Sequence, residues 1–208
     1  MKRADLLHLL AEVERGALAP EAAAARLATL PFEDLGHTRV DHHRSLRSGL
    51  PEVVFAAGKT PGQVLDIVAA LARDGVEVLA TRASPEHFAA VQSRYPGAVY
   101  RELGRCITLS IAAAKEPLRG HIAILCAGTS DLPVAEEAAI TAETFHCRVT
   151  RLYDVGVAGL PRLLAVRERL LEADALVVCA GMEGALPSVV GGLVGVPVLA
   201  VPTSVGYG

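Results

Sequence analysis

His121-Ile122-Ala123-Ile124-Leu125-Cys126-Ala127-Gly128-Thr129-Ser130-Asp131-Leu132-Pro133 is the stretch on which the fold turns. An almost unbroken apolar run ends in a glycine, two hydroxyls and an acid, and Leu132-Pro133-Val134-Ala135-Glu136 then opens a helical pattern. A run of that kind suits a strand buried on both faces, as in a parallel sheet covered by helices. The same beat continues downstream, with strands over 121–127, 148–153, 175–180 and 196–201 and helices over 133–146, 160–173 and 186–194. In the second of these helices Leu160, Leu163, Leu164, Leu170 and Leu171 form one stripe, while Arg162, Glu168, Arg169 and Glu172 face away. That is the pattern of a helix lying on a sheet. Strands alternating with helices predict a doubly wound α/β unit.

Upstream the rhythm is looser. Strands are expected over 52–57, 76–81, 98–101 and 106–112, with helices over 61–73 and 84–94, the latter capped by Ser84 with Pro85 behind it. Two amphipathic helices, 4–15 ending at Gly16 and 20–30, form a prefix. Residues 32–51 are polar and irregular and read as a linker rich in ionisable groups. The division falls near Pro117: a helical prefix and linker (1–38), an N-terminal α/β domain (39–116) and a second domain (117–208). The last strand runs into Pro202-Thr203-Ser204-Val205-Gly206-Tyr207-Gly208 and stops inside what reads as another glycine-rich turn, so the sequence is expected to be a piece of a longer chain.

Of 208 residues 51% are hydrophobic, enough for a substantial core, and the formal net charge of −3 lacks the basic surplus that phosphate-backbone binders need. No nucleic-acid partner is expected. The apolar runs fall short of the roughly 20 residues of a spanning helix, so no membrane association is expected either. Met1-Lys2-Arg3-Ala4-Asp5 is too charged to open a signal peptide, which points to the cytoplasm. Cys106, Cys126, Cys147 and Cys179 are widely spaced and read as small core residues.

Parallel sheets bind ligands at the carboxyl ends of their strands. There this chain carries Gly128, Thr129, Ser130 and Asp131 after the first strand of the second half, Asp154 after the second, Gly181, Met182, Glu183 and Gly184 after the third, and Thr203 and Ser204 after the fourth. Glycines let a ligand approach the backbone, hydroxyls can meet a phosphate, and neighbouring carboxylates can divide acid and base duties or hold a magnesium ion through water. Ser130 and Asp131 also suit plain helix caps. Glu183, just before a helix, stands where the helix dipole favours negative charge, which suits a base or electrostatic role. In the first half, Arg39, Arg44 and Arg47 flank Asp41-His42-His43 and could fork onto an anion, although a solvated linker is the plainer reading. No metal site is expected at the paired histidines. Gly58-Lys59-Thr60 looks like the end of a phosphate loop without its upstream glycine, which leaves Lys59 as an anion contact and no ATPase.

Residues 121–208 resemble the PurE carboxylase/mutase family of purine biosynthesis, where a Gly-Ser-x-Ser-Asp loop, here Gly128-Thr129-Ser130-Asp131, holds the ribose phosphate. Arg39-Val40-Asp41-His42-His43-Arg44, Gly49-Leu50-Pro51-Glu52-Val53-Val54-Phe55 with Gly58-Lys59-Thr60, and Gly181-Met182-Glu183-Gly184-Ala185-Leu186-Pro187-Ser188-Val189-Val190-Gly191-Gly192 are similar to signatures of the LarB family. Together they extend the resemblance over nearly the whole chain. It implies a three-layer, parallel-sheet PurE-like domain of flavodoxin-like or Rossmann-like type, preceded by a smaller α/β N-terminal domain.

The implied activity is the first step of nickel-pincer nucleotide cofactor synthesis, whose product serves lactate racemase and related enzymes. The pyridinium ring of nicotinic acid adenine dinucleotide is carboxylated and its phosphoanhydride hydrolysed, giving pyridinium-3,5-biscarboxylic acid mononucleotide and AMP. The resemblance further implies carbon dioxide or bicarbonate as co-substrate, Mg2+, no tightly bound organic cofactor, and a homo-oligomer, an octamer by analogy with PurE relatives. In the family a cysteine thiolate adds to the electron-poor ring and makes a carbon able to attack carbon dioxide. That cysteine is implied beyond Gly208. Ser130 and Asp131 would meet ribose or phosphate, Asp154 and Glu183 would handle protons or magnesium, and Arg44 and Lys59 would meet substrate anions. Asp154-Val155-Gly156 stands where the imidazole-nucleotide carboxylases carry Ala-His-Arg, which favours LarB. The alternatives are an aminoimidazole ribonucleotide carboxylase/mutase and a catalytically incomplete nucleotide-binding fragment.

Overall fold

Helices α1 (Arg3–Glu14) and α2 (Pro20–Ala28) open the chain, and Gly16, at φ +70°, makes the turn that ends the first. The computed structural model describes residues 3–28, 32–111 and 117–204. The last two residues of the expected second helix, and position 112 of the strand expected over 106–112, lie outside these. Two units divide the chain: Met1–Tyr100 with Ile107–Ala114, and Arg101–Cys106 with Lys115–Gly208.

In the first unit the stretch expected to be a linker is structured. Strands β1 (Glu33–Asp34) and β2 (Arg39–Val40) pair antiparallel, and helix α3 (Arg44–Ser48) follows. Strand β3 (Val53–Phe55), helix α4 (Pro61–Arg73), strand β4 (Val78–Thr81), helix α5 (Pro85–Arg94) and strands β5 (Val99–Arg101) and β6 (Cys106–Leu109) complete the elements. The sheet order is β3-β4-β6-β5, with β3 and β4 parallel but β4 and β6 antiparallel. The sheet is therefore mixed, where alternation alone predicts a parallel one. Local chemistry fixes the helix starts. Thr60 accepts from the Gln63 amide at 3.2 Å while the Gln63 side chain accepts from the Thr60 amide at 2.9 Å, a reciprocal cap with Pro61 behind it. Ser84 caps α5 in the same way, and His87, which accepts from the Ser84 amide, carries its other ring nitrogen to the Lys59 carbonyl at 2.8 Å.

The supposed linker is pinned by His42, 7% exposed. Its Nδ1 lies 2.7 Å from Asp74 Oδ2 and its Nε2 3.1 Å from Glu33 Oε2, and Arg73 holds both Glu33 oxygens at 2.6 Å. The Asp74 hydrogen bond raises the His42 pKa against the opposing pull of burial, with Glu33 helping. Glu33 is lowered, chiefly by Arg73; burial pushes Asp74 up, but it is lowered on balance, with the His42 bond and charge among the groups that pull it down. A raised histidine contributes stability that is complete below its unfolded pKa of about 6.5 and is lost as pH rises through the folded value. The two lowered carboxylates contribute above about pH 4 and lose it as pH falls. The unit is thus expected to be most stable in mildly acidic solution. His42→Gln should cost about 1–3 kcal/mol there and abolish the decline on the alkaline side. Urea melts at several pH values check both; a variant that keeps the parent's decline would refute the role.

In the second unit, strand β7 (Gly120–Cys126) leads through a short 3-10 turn, Thr129–Asp131, into helix α6 (Leu132–Thr144) and strand β8 (Cys147–Leu152). Helices α7 (Leu160–Ala165) and α8 (Arg167–Leu171), strand β9 (Ala175–Ala180), helix α9 (Leu186–Gly191) and strand β10 (Val198–Pro202) follow. All pairings are parallel, in the order β10-β9-β7-β8. The central strands β7 and β9 are almost wholly buried and the edge strands β8 and β10 are not, so the two-faced burial expected of every strand holds only in the middle. The single helix expected over 160–173 is broken at Val166, at φ −105° and ψ 8°. Only Leu163 and Leu170 of the expected stripe are buried; Leu160, Leu164 and Leu171 are 42–50% exposed. The half-buried Val166 packs on the core cluster, and the break keeps Leu163 and Leu170 on the sheet while turning their neighbours outward.

Candidate functional site

From β7 the chain moves to β8 on one side, then crosses to β9 and β10 on the other, so the crevice beyond the carboxyl ends of β7 and β9 is the topological switch point where open sheets bind ligands. A cavity of ≈ 450 Å³ lies there. After β7 it is lined by Ala127, Gly128, Ser130 and Asp131; after β8 by Asp154, Gly156, Val157, Ala158 and Arg162; at the end of β9 by Ala180 and after it by Gly181, Met182, Glu183, Ala185 and Leu186.

Asp131, 5% exposed, is the anchor of the first loop. Its Oδ2 accepts from the Gly128 amide at 2.9 Å and its Oδ1 from the Thr203 hydroxyl at 2.6 Å. It occupies the position before α6 without capping that helix; its carboxylate instead caps the preceding 3-10 turn at the Gly128 amide. Thr203, whose amide donates to the Ala180 carbonyl at 3.0 Å, ties the end of β10 to the loop after β7 across β9. Thr203→Val keeps the shape, removes the donor and leaves a buried carboxylate oxygen short of a partner. We expect a loss of about 1–3 kcal/mol in a denaturant melt; an unchanged midpoint would show that water replaces the hydroxyl at no cost. Thr129 lies in the 3-10 turn, and it, Ser204 and Gly184 are outside the cavity lining. Gly184, at φ +64°, closes a turn by donating to the Gly181 carbonyl at 3.0 Å.

Asp154 (φ +58°) and Met182 (φ +51°) are both non-glycine residues in the left-handed region, and both line the cavity. Such conformations persist only where the surroundings impose them and tend to gather at functional sites. Asp154 accepts from Arg162 Nη1. Arg162 is the residue that sequence reading missed: it was assigned to the outer face of a helix, whereas it reaches back to the strand end. The signal for it is an arginine three residues past Gly159, soon after the acidic end of β8. Glu183 is exposed at the cavity wall, with no hydrogen-bond or ion-pair partner among the described residues.

Arg44 and Lys59 belong to the first unit, and the cavity lining comes from the second. Arg44 is exposed at the start of α3, while Lys59 Nζ bonds the Phe55 carbonyl at 2.7 Å and lies 6.0 Å from the Phe55 ring. Of the other arginines proposed to clamp an anion, Arg39 pairs with Asp34 at 3.2 Å and Arg47 with Asp41 at 2.5 Å. Cys106, Cys126 and Cys179 are buried. Burial pushes the Cys126 thiol up and the Cys179 thiol to about 12, which leaves little thiolate for nucleophilic work. No three His, Cys, Asp or Glu side chains among the described residues group to hold a metal ion. With Asp131 tied to Gly128 and Thr203, and Asp154 to Arg162, the carboxylates here do not form a magnesium cage of their own.

Over 212 aligned residues the chain is 33% identical to an uncharacterized protein of Methanocaldococcus jannaschii, a match spanning 98% of this chain and 83% of that protein. The family described as LarB/PurE-like N-terminal domain matches residues 32–112. The chain belongs to the LarB/PurE-like family. The α/β architecture, with its parallel sheet in the second unit and mixed sheet in the first, agrees with a PurE-like, flavodoxin-like fold, and LarB/PurE-like membership points to a carboxylase-like or nucleotide-related function. The family match begins at Phe32, so the β1–β2 hairpin and His42 are part of this LarB/PurE-like domain and not a tether to it. Among the described residues no helix is long and apolar enough to cross a membrane.

Proposed function

We propose that the protein acts in carboxylation of the pyridinium ring of nicotinic acid adenine dinucleotide, with hydrolysis of the phosphoanhydride to give pyridinium-3,5-biscarboxylic acid mononucleotide and AMP. The observation that carries this reading is the charge pattern of the switch-point cavity: Asp131, Asp154 and Glu183 with Arg162, among glycine-rich loops. A pyridinium nucleotide is itself mixed, a cationic ring joined through ribose to anionic phosphate, and a wall of both charges suits such a ligand. The volume of ≈ 450 Å³ falls within the range of small-molecule sites.

In this reading Gly128 and Ser130 receive the ribose phosphate, in a loop whose shape Asp131 and Thr203 hold. The ring lies toward Glu183. A thiolate, which the family resemblance supplies, adds to the ring, and the resulting carbon attacks carbon dioxide to form the new carbon–carbon bond. Glu183 then accepts the proton from that carbon, the electron pair returns to the ring, and the thiolate departs. Carbon dioxide, free or from bicarbonate, is the co-substrate. Magnesium, where it takes part, would arrive on the substrate's phosphates, since such ions keep several waters and few protein ligands.

The test is mass spectrometry of the products after the protein that carries the nucleophilic cysteine is incubated with bicarbonate and magnesium and, in separate samples, with the dinucleotide or with aminoimidazole ribonucleotide. A mononucleotide carrying one additional carboxyl group, together with AMP, supports the reading. Consumption of aminoimidazole ribonucleotide in its place would overturn it in favour of purine carboxylation.

A further inference from the structure

We propose that Arg162 is the anion-gripping residue of the switch-point cavity, forking onto a phosphate or carboxylate of the bound nucleotide, and that Asp154 is the residue that positions it. The proposal takes its choice of ligand from the pyridinium-nucleotide reading above, but the grip itself rests on geometry.

Among the described residues lining the cavity Arg162 is the one basic side chain, beside three acidic ones. Of that lining, Arg162 is what an anionic ligand has to meet. The guanidinium is held from two sides. Nη1 donates to Asp154 Oδ2, and the group lies against the backbone of Gly159 so closely that a Cβ there would collide with Nε and come within 2.8 Å of Nη2 and 3.0 Å of Cζ. A side chain at that position would make the flexible end of Arg162 shift. Asp154 in turn holds the left-handed backbone noted above, at φ +58°. Both members of the pair are about half exposed, and such a pair adds little to stability in water. What the pair does contribute is position: it holds the guanidinium at the cavity wall, where an anion can reach it. Arginine has five N–H donors in a rigid plane, of which one is bound to Asp154, and the rest match the oxygens of a phosphate or carboxylate.

The experiment is calorimetric titration of the full chain and its Arg162→Gln and Arg162→Lys variants with four probes: inorganic pyrophosphate, nicotinic acid mononucleotide, nicotinamide mononucleotide and nicotinic acid riboside. Arg162→Gln is expected to weaken its anion by about 10- to 100-fold, as loss of a charge-assisted bond does. Arg162→Lys should recover part of that, because it restores the charge but not the fork. If pyrophosphate and both mononucleotides weaken while the riboside does not, the grip is on phosphate. If the two nicotinic acid compounds weaken while the nicotinamide mononucleotide does not, it is on the ring carboxylate.

Unchanged affinity for all four overturns the proposal, as does failure of the parent protein to bind any of them. Pyrophosphate binding that depends on Arg162, with no binding of any pyridinium compound, keeps the anion grip and removes the pyridinium reading. Positioning by Asp154 is read from a double-mutant cycle. The effect of Asp154→Ala on pyrophosphate affinity should vanish in the Arg162→Gln background; an effect that persists there would mean Asp154 acts on the ligand by itself.

Discussion

In the protein that carries the nucleophilic cysteine, replacing Glu183 by Gln is expected to lower the rate of ring carboxylation by about 100- to 10,000-fold, the usual worth of a positioned general base, while leaving nucleotide affinity near that of the parent. The substitution is nearly isosteric and removes only the ability to accept a proton. Glu183 is suited to the step by its surroundings. Asp131 is committed to Gly128 and Thr203 and Asp154 to Arg162, whereas Glu183 stands at the cavity wall without a partner among the described residues. It lies on the loop after β9, the strand on the far side of the switch point from β8. Single-turnover carboxylation and separate nucleotide titration distinguish the outcomes. Loss of rate with intact binding supports a proton-transfer role. Loss of binding with an unchanged rate at saturation would make Glu183 a ligand for the cationic ring, and an unchanged rate and affinity would remove it from the site.

The sequence disclosed most where the signal is local. Helix α4 runs over the expected residues 61–73 and β9 over the expected 175–180, because a Thr-Pro cap and a short buried apolar run are each readable within a few residues. The strand ends were legible for a related reason: in a parallel sheet the carboxyl termini emerge on one edge, so naming the strands names the loops that share it. What failed was what depends on distant partners. Residues 32–51 are polar and look solvated, but His42 draws them into the fold through Asp74, thirty-two positions away. The antiparallel placing of β6 beside β4 leaves no periodic mark, since strand direction has none. The break at Val166 is equally silent in a leucine-rich run. Within the cavity, the tie between Asp131 and Thr203 spans 72 residues, and the left-handed turn that lets Asp154 meet Arg162 belongs to the fold and not to either residue type.

Gly156→Ala is expected to destabilise the protein by about 1–3 kcal/mol, the range for atoms forced into filled space, and to weaken nucleotide binding with it. The backbone of Gly156, at φ −59° and ψ 153°, is open to any residue, so the cost is one of room. A Cβ there would stand 2.8 Å from the carbonyl oxygen of Ala127 and 3.4 Å from its carbon. That oxygen cannot withdraw freely. It accepts from the Gly156 amide at 2.9 Å, and the Ala127 amide is itself bound to the Cys179 carbonyl at 3.0 Å, so the peptide is fixed between the ends of β8 and β9. Retreat would break one of these bonds, each worth about 1 kcal/mol, and would move the loop that carries Gly128 and Ser130. Alanine's smaller unfolded-state entropy returns about 0.4–1 kcal/mol, less than the crowding takes away. Gly191→Ala is the control. It sits at the end of α9, where an added Cβ meets nothing within 4 Å, so the same entropy gain should appear there without the clash. Melts in which Gly156→Ala loses stability while Gly191→Ala does not would locate the effect at the strand ends. Equal behaviour of the two would show that the loop after β8 yields and that the cavity wall is softer than its hydrogen bonds imply.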